Sequence, residues 1–207
     1  MKNLIKSVVA AAVLAAPALA FGATWEIDPA HSNAQFSVKH MMVSTVKGEF
    51  GKLAGTVNID EKDITKSSVD VVIDATSIDT RNEGRDGHLK SPDFFDVKNH
   101  PNLTFKSTKV EKAGEGKLKV TGNLTIRGVT KPVVLDVEGP TGEVKSPFDG
   151  QPRIGATATT QINRKDFGLN WNKALEAGGV LVGDEVKVSI EFEGQKKAPA
   201  ATAKDTK

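Results

Sequence analysis

The sequence predicts an all-β protein in which about eight antiparallel strands close into a barrel. Three observations favour this fold class. Short segments alternate apolar and polar residues with a period of two, which is typical of strands that bury one face. Glycine and proline mark turns between these segments. The strands form one unbroken domain, and a long antiparallel sheet removes its exposed edges by closing. A two-sheet sandwich is the structural alternative.

Both ends of the chain are expected to lie outside the domain. Residues 1–20 have the features of a cleavable signal peptide: two lysines, a short apolar run, and the small-x-small cleavage site Ala18-Leu19-Ala20. We expect cleavage after Ala20, a periplasmic protein and no stable membrane insertion; a retained anchor is the alternative. Residues 195–207 contain no large apolar residue and are expected to form a disordered tail.

Charge and composition exclude several classes of function. Without the two lysines of the leader, the basic residues fall from 28 to 26 and equal the 26 acidic residues. A formally neutral chain gives no indication of nucleic-acid binding. The chain has no cysteine, which excludes thiolate metal sites, thiol nucleophiles and haem attachment through cysteine.

The alternation defines the strands before residue 80. In the clearest segment, Ala34, Phe36, Val38 and His40 share the inward face, and residues 41–45 form a turn. A glycine then splits or bends the following strand. The predicted strands of this half are 25–27, 32–40, 46–50, 52–60 and 67–76.

Residues 81–105 interrupt the alternation. A threonine cap predicts a helix over residues 80–89, and the run Ser-Pro-Asp at 91–93 predicts a second helix start. Phe94 and Phe95 follow directly and give this segment a surface to bury. We expect the segment to be a wall or lid of a ligand pocket at one end of the barrel.

Alternation resumes after the interruption, with Phe105 and Ile126 among the inward residues and a loop over residues 139–152. Small inward residues favour a hollow interior over a packed one, as does the content of nine Phe, two Trp and no Tyr. Close packing against the small residues is the alternative. The predicted strands are 102–110, 117–126, 132–138, 153–163 and 184–193. The small inward residues are Gly55, Ala75, Gly122, Ala156, Ala158 and Thr160.

No pattern of catalytic or metal-binding residues stands out. The four histidines lack the short spacing typical of metal sites, and none of the common nucleophile or phosphate-loop motifs occurs. We therefore expect a protein without catalytic activity, metal or cofactor. The alternative is a lipid-modifying site around His40 that no common sequence motif marks. Arg81, Arg85, Arg164 and Lys165 are expected either to form a solvated rim or to meet an anionic head group. Phe94, Phe95, Phe167 and Trp171 are expected to plug the barrel or to line its pocket.

Four segments together resemble the YceI-like family of bacterial polyisoprenoid-binding proteins. The resemblance extends in order over residues 24–193. The segments are DPAHSNAQFSVKHMMVSTVKGEFGKLAGTV (28–57), TRNEGRDGHLKSPDFFD (80–96), GNLTIRGVTKPV (122–133) and INRKDFGL (162–169).

The resemblance implies an extended, lipocalin-like eight-stranded barrel with short helices packed at one side. It implies a periplasmic carrier of a polyisoprenoid, a quinone precursor, or a fatty acid or amide, without catalysis or a metal; a homodimer is possible. A lipid-modifying enzyme and a non-binding, stress-protective module with a solid barrel are the alternatives. The resemblance carries over pocket roles for His31, Phe36, His40, Arg81, His88, Phe94 and Phe95. With the inward residues and plugs, the candidate ligand-binding set is His31, Phe36, Val38, His40, Arg81, His88, Phe94, Phe95, Phe105, Ile126, Ala156, Ala158, Phe167 and Trp171.

Overall fold

The computed structural model describes residues 22–176 and 178–197, and the expected signal peptide lies outside this range. The described chain forms a twelve-stranded antiparallel sheet, one α-helix, α1 (Glu83–Lys90), and 3₁₀ turns at Ile64–Lys66, Ala75–Ser77 and Arg164–Phe167. The strands are β1 (Ala23–Ile27), β2 (Asn33–His40), β3 (Ser44–Phe50), β4 (Leu53–Ile59), β5 (Ser68–Asp74), β6 (Ile78–Asp79), β7 (Asn102–Gly114), β8 (Lys117–Ile126), β9 (Val129–Glu138), β10 (Val144–Lys145), β11 (Pro152–Asn163) and β12 (Val182–Lys196).

The sheet closes into an eight-stranded antiparallel barrel, which confirms the predicted fold class. Three of the eight barrel strands are each formed by two consecutive segments: β1 with β2, β3 with β4, and β5 with β6. The two segments of each strand pair with the same neighbouring barrel strand. β12 pairs with β2 along its first part and with β1 at its end. β11 completes the circuit because it pairs with β12 over Arg153–Asn163 and with β9 over Thr157–Thr159.

Apolar side chains on the inward face form three clusters of buried residues. The largest gathers Phe50, Phe94, Phe167 and Leu169 at the end of the barrel where residues 80–101 and 164–171 lie. A second cluster surrounds Phe105 in the middle of β7 and β8, and a third lies under β1 and β4. Burial is therefore densest where the sequence alternation is interrupted.

The helix begins later than the threonine cap predicts. Asn82 is its N-cap, and its side chain accepts a hydrogen bond from the Arg85 backbone N–H. Thr80 is buried instead: its hydroxyl donates to Asp86 Oδ1 at 2.5 Å and accepts from Arg85 Nε at 2.7 Å. The prediction of a cap at Thr80 is wrong because the first turn of α1 folds back to bind this hydroxyl.

The second predicted helix start is also wrong. Ser91 is the C-cap of α1, and its backbone N–H donates to His88 O. Its own carbonyl then accepts from the backbone N–H groups of Phe94 and Asp96, which gives successive turns and no helix. The Ser-Pro-Asp run ends one helix here, since a proline after a helix end cannot continue it.

The small inward residues divide between the two predicted roles. Gly122 is buried, and a Cβ placed there would lie 2.4 Å from Phe105 Cζ, so this glycine makes room for the ring. Ala75 is fully buried in the largest cluster. Ala156 and Ala158, by contrast, line the central cavity described below.

The last strand runs past the expected start of the tail at residue 195. Gln195 and Lys196 pair with Glu26 and Trp25 of β1, and the backbone N–H of Lys197 donates to Thr24 O at 2.8 Å. Their backbone hydrogen bonds cover the edge of β1 that faces away from β4, which would otherwise be unpaired. The rest of the expected tail, 198–207, lies outside the described residues.

Gly122→Ala should lower the free energy of unfolding by about 1–3 kcal/mol, because the added methyl displaces the Phe105 ring from a filled core. Gly87→Ala on α1 is the matched control: nothing lies within 4 Å of the position its methyl would take, and the exchange should stabilise by about 0.5–1 kcal/mol. Urea unfolding measures both, and equal effects would contradict the packing role of Gly122.

Candidate functional site

The barrel encloses a cavity of about 290 Å³. Inward side chains from all eight barrel strands line it, and most are Val, Leu, Ile and Phe. This volume lies just below the ~300–1,000 Å³ typical of small-molecule pockets. An apolar cavity of this kind suits an apolar ligand, and its presence counts against the alternative of a solid barrel.

Nine of the fourteen candidate residues lie on the cavity wall. Six are strand residues whose inward orientation follows from the alternation, and Phe94, Phe95 and Phe167 close the end that carries the largest core cluster. The nine are Phe36, Val38, Phe94, Phe95, Phe105, Ile126, Ala156, Ala158 and Phe167.

His88 and Trp171 lie behind the cavity wall, in an aromatic layer against Phe94. The His88 ring meets Phe94 and Trp171 edge-on, with centroid distances of 5.1 and 4.7 Å. His88 Nε2 lies 2.9 Å from Asp93 Oδ2, which fixes the ring. Edge-to-face contacts of this kind stabilise by about 0.5–1.5 kcal/mol each beyond the burial of area. Both residues therefore support the plug and do not line the cavity.

Arg81 and His40 lie away from the cavity wall. Arg81 is exposed, adopts a positive φ of 60°, and lines an outer groove with Lys47, Lys187 and other residues. His40 ends β2 opposite Val182, which lines the cavity, but His40 itself is not among the lining residues. Within the described part of the chain, no hydrogen bond or ion pair joins its imidazole to an acid or hydroxyl.

Arg164 is the one cationic side chain among the described residues that line the cavity, and it is 4% exposed. Its guanidinium donates to the carbonyls of Leu169 and Trp171 (2.9 Å), and of Gly183 (2.9 Å). It also donates to Val182 O at 3.3 Å and to Asp184 Oδ1 at 3.2 Å. Burial lowers the pKa of this guanidinium, with Asp184 acting in the opposite direction.

Because arginine has five N–H donors and Arg164 makes five such bonds, its hydrogen-bonding capacity is used within the protein. The sequence suggests a solvated rim or a contact with a head group for this residue. The solvated rim is wrong because the side chain is buried, and the five internal bonds leave no N–H to donate to a head group. Arg164 joins residues 164–171 to the start of β12. Lys165, its exposed neighbour, bonds the other oxygen of Asp184 at 2.8 Å.

Arg127 has a structural role that the sequence pattern does not indicate. It forms a two-residue turn with Gly128 between β8 and β9, and both residues have positive φ, 49° and 73°. Its guanidinium donates to Gly168 O at 2.9 Å and to Pro92 O at 2.7 Å, which ties both irregular segments to the barrel. An arginine before glycine at a hairpin was the available signal, but it indicates only the turn.

His31 belongs to a charged cluster between β1 and β2, outside the cavity. Its Nδ1 lies 3.0 Å from Asp28 Oδ2 and 3.9 Å from Glu193 Oε1. The hydrogen bond lowers the pKa of the Asp28 carboxyl and raises that of His31. These three residues are close enough to share a metal ion, but Arg153 Nε lies 3.4 Å from Glu193 and supplies a competing positive charge. The arrangement is that of an ion-pair network.

Across the described residues, no helix has both the length and the apolar character needed to cross a membrane.

The family model of the YceI-like domain matches residues 25–194. Among curated relatives, a UPF0312 protein of Staphylococcus aureus strain MSSA476 is 42% identical over 167 residues, covering 80% of this chain and 94% of the relative. A UPF0312 protein of S. aureus strain N315 matches to the same extent.

Solved structures share the barrel. The YCEI protein of Campylobacter jejuni has a TM-score of 0.65 and 36% identity, over 77% of this chain and 90% of its own. BcnA of Burkholderia cenocepacia has a TM-score of 0.68 and 25% identity, over 81% and 98%. A polyisoprenoid binding domain from Saccharophagus degradans has a TM-score of 0.60 at 17% identity, over 84% and 98%, which is a likeness of fold alone.

Arg164→Met should lower the free energy of unfolding by about 3–5 kcal/mol, because buried acceptors and the Asp184 carboxylate lose their partner. Lys165→Met removes an exposed contact to the same carboxylate and should cost about 0–1 kcal/mol. Urea unfolding of both variants measures the difference. A loss for Arg164→Met no larger than for Lys165→Met would contradict the buried network.

His31 should titrate above its ordinary pKa of 6.5 and Asp28 below its ordinary 3.8. The stabilisation from the pair is then fully present between these two values. It is lost as pH rises through the raised pKa of His31, and also as pH falls through the lowered pKa of Asp28. Proton NMR of the imidazole in the unaltered protein and in Asp28→Asn tests this: the variant's His31 pKa should move back towards 6.5, and an unchanged value would contradict the pairing.

Proposed function

The chain belongs to the YceI-like family, and from this premise we propose that it is a carrier protein that holds a long-chain apolar ligand inside its barrel. The observation that carries the proposal is the cavity, which every barrel strand lines with apolar side chains. A polyisoprenoid, a quinone precursor or an acyl amide offers the matching surface: a long chain without polar groups.

Burial of the chain supplies the affinity. Each methylene or methyl transferred from water to an apolar wall contributes about 0.8 kcal/mol. The wall is built from paired strands and Phe94, and His88 and Trp171 support Phe94 from behind, so little ordering of the protein opposes binding. A preformed wall favours retention of a ligand, as a carrier requires.

Three further considerations support the choice of ligand class, of role and of location. The barrel is shared with the polyisoprenoid binding domain of S. degradans, whose name gives such a ligand for that protein. We infer a non-catalytic role. Chemistry at His40 would need an acid or hydroxyl within hydrogen-bond reach, and the described residues form no such bond to its imidazole. The leader-like residues 1–20 support assignment to the periplasm.

The ligand itself is best identified from protein purified out of its own host without detergent. Native mass spectrometry should show an added mass, and organic extraction should release a lipid with an isoprenoid or acyl chain. Ligand-free protein that also fails to bind any long-chain isoprenoid or acyl lipid in vitro would overturn the proposal.

Ala158→Phe should weaken ligand binding by about tenfold or more, because the ring occupies cavity volume that the chain would fill. Thr159→Phe is the matched control, since Thr159 is the next residue of β11 and is exposed on the outer face. Displacement of a fluorescent acyl probe measures affinity, and circular dichroism verifies folding. Equal affinities in the two variants would place the ligand outside the barrel.

A further inference from the structure

Among the described residues that line the cavity, six have polar side chains, and none of these offers a free positive charge. Gln35 and Glu191 are exposed residues at outward positions of β2 and β12. Arg164 makes five hydrogen bonds within the protein. The other three are the hydroxyl residues Ser32, Ser67 and Thr160.

All three hydroxyl groups form hydrogen bonds with the backbone, and two of them donate their hydrogen to a carbonyl. Ser32 Oγ donates to Glu193 O at 3.3 Å and accepts from Glu193 N at 3.0 Å. Thr160 Oγ1 donates to Val134 O at 2.8 Å. Ser67 Oγ accepts from Asp60 N at 3.1 Å and keeps its own hydrogen. The described lining therefore offers one neutral donor, near the end of the barrel where β5 begins.

We propose that the cavity selects ligands whose enclosed end is uncharged, such as an alcohol, a carbonyl or an amide, and rejects ionised carboxylates and phosphates. The inference rests on the proposed function and deepens it. An ion moved from water into an apolar site without a partner is strongly destabilised, whereas a neutral polar group needs only one hydrogen bond. Ser67 is placed to give such a bond.

A fatty acid can satisfy this requirement only in its protonated form. An apolar site whose one lining cation, Arg164, is already paired with Asp184 favours the neutral state of a carboxyl group and raises its pKa. Binding of the acid should therefore strengthen as pH falls, because a larger fraction of the free acid is then neutral. Binding of a primary amide with the same chain should not change with pH in this way, since the amide does not ionise.

The experiment compares dodecanoic acid with dodecanamide, each below its aggregation threshold, by displacement of a neutral fluorescent lipid from delipidated protein. At about pH 8 the amide should bind about 100-fold more tightly than the acid. Between about pH 8 and pH 5 the affinity for the acid should rise by at least about tenfold, with the amide as the internal control.

A matched pair of cavity variants tests the missing charge directly. Val137 of β9 is half-buried and lines the cavity. Val137→Lys should bring the affinity for the acid at about pH 8 to within about tenfold of that for the amide. Val137→Met, of similar length but uncharged, is the control for added bulk and should weaken binding of the acid and of the amide by the same factor. If the lysine variant does not fold, the pH series on the unaltered protein decides alone.

The outcomes separate this inference from the proposed function. Equal, pH-independent binding of acid and amide would overturn the selection of uncharged ligands and leave the carrier function standing. Failure of both probes and of long-chain isoprenoid alcohols to bind would remove the carrier function, and this inference with it. A strong preference for the amide that the lysine variant diminishes supports both.

Discussion

The structure depends on the pairing of β11 with β12. This ladder joins Arg153–Asn163 to Glu185–Gln195 in uninterrupted antiparallel register and turns an open sheet into a closed barrel. Without it, both strands would present unpaired backbone groups, and the inward apolar face would be open to water. β12 also pairs with β1 and β2, so one strand holds the beginning and the end of the domain together. The cavity is a consequence of this closure.

The same ladder places the small residues that keep the interior hollow. Ala156 and Ala158 of β11 lie opposite Phe192 and Ile190 of β12 and share the inward face with them. Elsewhere aromatic rings occupy the space beside glycines of the wall: Phe105 packs over Gly122, and Phe36 packs over Gly48. The barrel therefore combines close packing at chosen positions with one apolar space, and binding capacity follows from where the small residues fall.

Strand positions and their inward faces followed from the sequence because a period of two needs only local information. That is why Phe36, Val38 and Ala158 were assigned to the wall. The errors lie where contacts beyond the nearest neighbours decide. Thr80 is bonded by the first turn of α1 and does not cap it, and Ser91 ends a helix that its Ser-Pro-Asp run was expected to start. His40 has the correct alternation but is not among the residues that line the cavity, since alternation indicates a face of the sheet and not a position along the strand.

Arg164 has a consequence for how the protein responds to its surroundings. Small exported domains often secure their loops with disulfides, but this chain has no cysteine. The guanidinium does the equivalent task, joining Leu169, Trp171, Val182, Gly183 and Asp184 around one planar group. Such a cross-link needs no oxidant to form and no reductant can open it. The plugged end of the barrel can therefore be assembled equally well in reducing and in oxidising surroundings, and thiol reagents should leave its stability unchanged.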